Sequence, residues 1–361
     1  MTLTTELKME NPLGLDGIEF LEFCSDDDKD LAKKFAQFGM TEVAHHKALP
    51  IKLFRQNDIH LLINHMPHSF ASEFKKMHGP SICGMGMRVK NAKHAFETAV
   101  SRGAKPFAGD EKTSGWKMPA IHGIGDSLVY FVDQYTPSPT GTPTMDRGDI
   151  YKNFEFISEE HYPGGKKLIC IDHLTNNVPR GEMQKWCDFY TNVFGFKEKR
   201  FFDIRGKKTG LLSKVMKSPC GKFSIPINEP SDDKSQIQEY LDEYKGSGIQ
   251  HVAFLSENIC REVEALGAMG VEFLDRPTDT YYQMLPSRLP NVKEDLAELR
   301  RLAVLVDGDK EGYLLQLFTK NQFGPIFIEL IQRKGHDGFG DGNFQALFDA
   351  MEADQAKRGV L

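Results

Sequence analysis

The stretch Gly84-Met-Gly-Met-Arg-Val-Lys-Asn91 and the stretch His251-Val-Ala-Phe-Leu-Ser-Glu-Asn258 carry one pattern at one constant offset. In each, a strand-like apolar run is followed by a helical pattern that stops at a glycine, Gly103 in the first and Gly270 in the second, again on that offset. Outward from this pair, Gly17-Ile-Glu-Phe-Leu21 with a helix ending at Phe38-Gly39-Met40 matches Cys170-Ile-Asp-His-Leu174 with a helix ending at Phe194-Gly195-Phe196. Ser127-Leu-Val-Tyr-Phe-Val-Asp-Gln134 lines up with Pro325-Ile-Phe-Ile-Glu-Leu-Ile-Gln332. One strand–helix–strands unit therefore occurs four times, twice in each half of the chain.

Short alternating segments bounded by Gly, Pro, Asn and Asp dominate both halves, and helical patterns run over Asp28–Phe38, Ala92–Ser101, Glu182–Val193 and Glu257–Met269. The expected class is α+β with mainly antiparallel sheets. The apolar periodicity breaks in the segment from Tyr135 to Asp149, which holds three prolines, two glycines and four threonines. A connection between domains belongs there, which divides the chain into 1–150, a structural domain of two degenerate units, and 151–361, the active domain.

Composition narrows the function. The chain has 361 residues, 40% hydrophobic and 27% charged, with 45 Lys+Arg against 51 Asp+Glu and a net charge of −6. That is a globular protein without the basic footprint of a nucleic-acid binder, so a small-molecule ligand is expected. No apolar run has the length of a membrane span or a secretory signal, and a cytoplasmic location is expected. Six cysteines are scattered without a CxxC pair, which points to reduced thiols and neither a disulfide framework nor a zinc cluster.

The halves differ where it matters for chemistry. Aligned as above, His173 stands opposite Phe20, His251 opposite Gly84, and Glu329 opposite Phe131. Strand alternation puts His173 on a face with Ile169 and Ile171, His251 with Ile249 and Ala253, and Glu329 with Phe327 and Ile331. A lone strand histidine is more often a satisfied core residue than a ligand. Three polar residues at matching positions, equally spaced along the chain, are a different signal. A buried carboxylate needs a cation or a proton, and two neutral imidazoles with one carboxylate form the facial triad of mononuclear non-haem Fe(II) oxygenases. Competing ligands are weaker: the proline in His65-Met-Pro-His68 prevents a regular helix, neighbouring His45 and His46 point to opposite faces, and His336 sits in a glycine-rich loop.

Ile171-Asp-His-Leu174, Gly248-Ile-Gln-His-Val-Ala-Phe254 and Phe327-Ile-Glu-Leu-Ile-Gln-Arg333 resemble the iron-ligand stretches of the 4-hydroxyphenylpyruvate dioxygenase family, within the vicinal-oxygen-chelate superfamily. The resemblance spans the chain and is densest from Leu168 to Phe344. It implies two domains, each of two βαβββ modules of glyoxalase type, open mixed β-barrels with flanking helices, and a C-terminal helix. It places one Fe(II) per subunit on His173, His251 and Glu329. Leu212-Ser-Lys-Val215, Phe223-Ser-Ile-Pro-Ile-Asn-Glu-Pro230, Ser235-Gln-Ile-Gln238 and Leu314-Leu-Gln-Leu-Phe318 resemble the pocket motifs. These assign Ser213, Asn228, Gln250 and Gln316 to catalysis and Pro226, Gln236, Phe318, Phe327, Phe339, Asn343 and Phe344 to substrate binding. Gly335-His-Asp-Gly-Phe-Gly-Asp-Gly-Asn343 has four glycines and precedes Phe344, Leu347, Phe348 and Met351 at helical spacing, which reads as a hinge and an amphipathic helix. In the family that helix closes over the pocket.

The activity so implied is oxidative decarboxylation of 4-hydroxyphenylpyruvate by O₂ to homogentisate and CO₂, in tyrosine and phenylalanine catabolism, by a homodimer or tetramer. Two alternatives stand beside it: a hydroxymandelate synthase, which hydroxylates the benzylic carbon of the same substrate, and a non-catalytic protein of the same fold that binds an aromatic ligand.

Overall fold

The computed structural model describes residues 10–135, 150–158, 167–205, 209–275, 277, 279–340, 342, 343, 355 and 359. The first half forms a sheet from β1 (Leu15–Cys24), β2 (Thr41–His46), β3 (Ile51–Gln56), β4 (Ile59–Asn64), β5 (Ser81–Val89), β6 (Ala120–His122), β7 (Leu128–Val132) and β8 (Phe154–Phe156). The second half repeats this with β9 (Leu168–Asn177), β10 (Lys197–Arg205), β11 (Gly210–Lys217), β12 (Ser224–Pro230), β13 (Gly248–Ser256), β14 (Leu305–Gly308), β15 (Tyr313–Phe318) and β16 (Phe327–Lys334). The orders are β6-β7-β5-β1-β4-β3-β2-β8 and β10-β11-β12-β9-β13-β16-β15-β14. Each unit's first strand runs parallel to its last, β1 with β4, β5 with β7, β9 with β12 and β13 with β16. The two units of a sheet join antiparallel through their first strands. This is the two-domain vicinal-oxygen-chelate architecture. The second unit is one strand short; the isolated bridge Pro106–Ile121 marks the place.

Local chemistry explains why the units recur. Three helices start on a side-chain cap directly after the first strand: Asp27 accepts from the Lys29 and Asp30 amides, Asn91 from His94, and Asn258 from Arg261. The third unit lacks that cap, and Glu229 on β12 accepts from the Gly181 and Met183 amides instead. Gly103 and Gly270 end their helices at φ 99° and 86°, a conformation that favours glycine.

Pairing also tests the alignment between halves. Phe20 faces Gly86 as His173 faces Ala253, which upholds the first correspondence. Glu329 pairs with Ala253, whereas the residue beside Gly86 on β7 is Tyr130, so the counterpart of Glu329 is Tyr130 and not Phe131. Every residue of β7 is buried, so no alternation of polar and apolar residues sets its register, and a one-residue slip exchanges the faces.

At these counterpart positions the first sheet is filled. A Cβ on Gly86 would lie 2.5 Å from the Phe20 ring, and one on Gly84 would meet Glu22 and Tyr130 at 2.8 and 2.9 Å. Phe20 stacks on Trp116 at 5.3 Å. The sheets are held together by backbone and core alike: the Asp58 amide donates to the Ile169 carbonyl, Gln56 accepts from the Leu168 amide, and Phe323 packs edge-on against Phe23 and Phe35. One apolar cluster, from Leu13 to Leu330, draws on both sheets. All six cysteines are free thiols. Residues 136–149 and the helix expected around Phe344–Met351 lie outside the described residues.

Candidate metal centre and its pocket

The second sheet curls into a half-barrel, and alternation delivers side chains to its concave face. Thus β9 supplies His173 and Thr175, β11 Ser213, β12 Pro226 and Asn228, β15 Gln316 and Phe318, and β16 Phe327 and Glu329. On β13 two adjacent residues, Gln250 and His251, reach the same pocket. A bulge between Ile249 and His251 permits this by breaking the alternation at Gln250.

The ligand atoms of His173, His251 and Glu329 lie within 4.8 Å of one another, and all three residues are buried. Glu329 Oε2 is 3.1 Å from His173 Nε2 and 3.3 Å from His251 Nε2, and Gln316 Nε2 donates to Oε1 at 2.9 Å. Burial pushes the Glu329 carboxyl up, but the facing histidines outweigh it and bring it down to about 2. Burial likewise disfavours charge on His173, yet the Glu329 and Asp172 carboxylates lift it to about 9. His251, buried and facing only one carboxylate, is pushed down. Among the described residues no lysine or arginine forms an ion pair with Glu329. The point between the three side chains therefore calls for positive charge, which a proton on His173 or a divalent cation supplies. Two imidazole nitrogens and one carboxylate converging on one pocket could hold a metal ion.

Both ligand histidines have their outer nitrogen held. His173 Nδ1 lies 2.8 Å from Asp172 Oδ2, and His251 Nδ1 lies 3.1 Å from Gln250 Oε1. Each contact sets the tautomer with Nδ1 protonated and Nε2 turned inward.

The pocket encloses about 50 Å³ and is lined by the triad together with Ser213, Pro226, Asn228, Gln236, Gln250, Gln316, Phe318, Phe327, Phe339 and Asn343. Every expected site residue except Phe344, which lies outside the described residues, thus borders one space. They differ in freedom. Gln316 already donates to Glu329 and to the Phe339 carbonyl and accepts from Asn343, so one amide hydrogen holds Glu329 and the other holds the backbone at Phe339. Asn228 donates to Asn177 at 3.2 Å. Gln236 Oε1 is buried without a hydrogen-bond partner among the described residues. A neighbouring cavity of about 320 Å³ shares Gln236, Gln250 and Phe327 with the pocket and opens past Glu239, Glu272 and Lys320.

Three contributors go beyond the sequence reading: Asp172, Arg333 and Tyr281. Tyr281 OH sits 2.7 Å from Asn343 Oδ1 and so extends the chain Glu329–Gln316–Asn343. Asp172 and Arg333 fall inside motifs quoted above, but nothing in a linear window joins two residues so far apart.

Comparison with known proteins places these features in a family. Residues 9–151 match the model described as hydroxyphenylpyruvate dioxygenase, N-terminal, and residues 170–316 match the glyoxalase/bleomycin resistance protein/dioxygenase superfamily. The chain is similar to protein MelA of Shewanella colwelliana, 48% identical over 98% of this chain and 99% of that one. It is similar to the 4-hydroxyphenylpyruvate dioxygenase of Legionella pneumophila strain Corby, 47% identical over 98% of this chain and 99% of that one. Among solved structures, a fusion of a xylose isomerase-like TIM barrel with 4-hydroxyphenylpyruvate dioxygenase superposes with a TM-score of 0.79 at 30% identity. That likeness covers 98% of this chain and 55% of the fusion protein, so this chain spans about half of its length.

Proposed function

The chain belongs to the 4-hydroxyphenylpyruvate dioxygenase family, and on that premise we propose that the pocket of its second sheet converts 4-hydroxyphenylpyruvate and O₂ to homogentisate and CO₂. The observation that carries this is the buried Glu329 facing two imidazoles in a pocket whose other polar groups are all uncharged. Fe(II) held by His173, His251 and Glu329, one per chain, would supply chelation of the substrate's 2-oxo acid and activation of O₂.

The residues of the chain divide the remaining work. Phe318, Phe327 and Phe339 wall the aromatic ring and exclude water, and Phe327, stacked on His251 at 4.7 Å, also fixes that imidazole. Gln236, whose carbonyl oxygen has no partner among the described residues, accepts the phenolic O–H. Ser213, Asn228 and Gln250 offer neutral hydrogen bonds along the pocket and add no negative charge to that of Glu329. Gln316 and Asn343 hold Glu329 in place. The space of about 50 Å³ at the triad adjoins the larger cavity through Gln236, Gln250 and Phe327, which offers the rest of the substrate a path.

At the level of the molecule, residues 1–150 act as scaffold and 151–361 as the catalytic domain. The enzyme works in tyrosine and phenylalanine catabolism as a cytoplasmic homo-oligomer, dimer or tetramer, without nucleic-acid or membrane partners. Among the described residues no helix is long and apolar enough to cross a membrane.

The test is product identity. The chain is loaded anaerobically with Fe(II), given 4-hydroxyphenylpyruvate and air, and the aromatic product is identified by NMR. Homogentisate is expected. Its isomer 4-hydroxymandelate would move the chemistry to the benzylic carbon, and bound iron with no product would overturn the substrate assignment.

A further inference from the structure

We propose that Asp172 and Arg333 form one positioning unit that orients His173 and ties it to the pocket wall at 336–339, so that metal at the triad and order in that wall are linked. The proposal rests on the metal reading of the triad. Its geometry is a closed circuit. Asp172 Oδ2 lies 2.8 Å from His173 Nδ1, and the same carboxylate takes two parallel bonds from Arg333, Nε to Oδ1 and Nη2 to Oδ2, each 2.7 Å. Arg333 Nη1 donates to the His336 carbonyl at 3.1 Å and to the Gly338 carbonyl at 2.7 Å. The Phe339 ring closes the circuit, 5.5 Å from the guanidinium and 5.2 Å from the His173 imidazole.

Four of the five N–H donors of Arg333 are thus committed, two to the carboxylate that sets the tautomer of His173 and two to the backbone that presents Phe339. Only a planar fork serves both partners together; a lysine keeps the charge and loses the geometry. The other ligand histidine lacks such a tie, since His251 Nδ1 meets the neutral Gln250. Anything that fixes the His173 ring therefore fixes Asp172, then Arg333, then the carbonyls of the wall, and the effect is reciprocal because a coupling free energy acts equally from either end.

The experiment is amide hydrogen exchange over 336–340 in the full chain, with and without saturating Co(II), alongside a Co(II) titration. In the native chain metal slows exchange there several-fold. Arg333→Lys binds metal and loses most of that protection, and Asp172→Asn weakens Co(II) affinity by about 10- to 100-fold. Metal binding to the native chain that leaves exchange at 336–340 unchanged overturns the linkage, as does full protection in Arg333→Lys. Failure of the native chain to bind metal overturns the metal reading and this proposal with it, and is seen in the titration itself. If neither variant keeps the native circular dichroism, the native measurement alone decides.

Discussion

Glu329 holds the site's only fixed negative charge among the pocket-lining residues, and its surroundings explain what it can do. It is 2% exposed, has no lysine or arginine partner among the described residues, and faces two imidazole nitrogens. Glu329→Gln keeps the shape and removes the charge, so the variant is expected to retain native circular dichroism while its metal affinity falls by roughly two orders of magnitude or more. A metal titration checks this, and unchanged affinity would remove Glu329 from the ligand set. The three candidate ligands were legible in the sequence because each interrupts an apolar strand face. The pocket residues were legible only through family motifs, since a buried glutamine such as Gln316 looks alike whether it serves substrate or backbone. Its actual engagement with Glu329, the Phe339 carbonyl and Asn343 depends on two strands, β15 and β16, meeting the segment that follows them.

Among the elements, β1 shows how one strand holds two carboxylates in opposite states. Glu19 is bonded to His60 Nδ1 and Arg88 Nε, and these partners outweigh the burial that pushes its carboxyl up, holding it at about 2 against an ordinary 4.5. Glu22 accepts from the neutral donors Asn64 and Trp116, at 2.8 and 3.0 Å, and burial prevails and pushes it up. The linkage signs are therefore opposite. The stability that ionised Glu19 contributes is complete above 4.5 and is lost as pH falls toward 2. For Glu22, folding grows less favourable as pH rises above 4.5 and the carboxyl is driven to ionise. Glu19→Gln is expected to cost about 3–5 kcal/mol at neutral pH, with a gap to the native chain that narrows on acidification. Glu22→Gln should cost about 1 kcal/mol or less and gain on the native chain as pH rises. Urea melts of both variants between pH 3 and 7 check this, and parallel pH trends would refute it. The repeat itself was legible because Asn91 and Asn258 occupy one place in the unit and Gly103 and Gly270 another. The register of β7 was not, because nothing polar marks either face of that strand.

Across the described residues the halves share one core, and the His/His/Glu cluster stands in the second. A single apolar cluster runs through both sheets, and a backbone bond and a backbone-to-side-chain bond cross from β3–β4 to β9. The chain should therefore unfold in one calorimetric transition, and a metal at 100 times its Kd should stabilise it by about 2.7 kcal/mol as a unit. Two transitions of which metal moves one would contradict the fused core. The asymmetry between halves was legible from residue types, and its physical reason appears only in three dimensions: Phe20, Tyr130 and Trp116 occupy the space that the triad leaves open in the second sheet. The most direct test of the account is metal stoichiometry, measured by equilibrium dialysis of the native chain and of His251→Ala against Fe(II) under anaerobic conditions. One metal per native chain and none in the variant is the predicted result; two per chain, or one retained in His251→Ala, would contradict it.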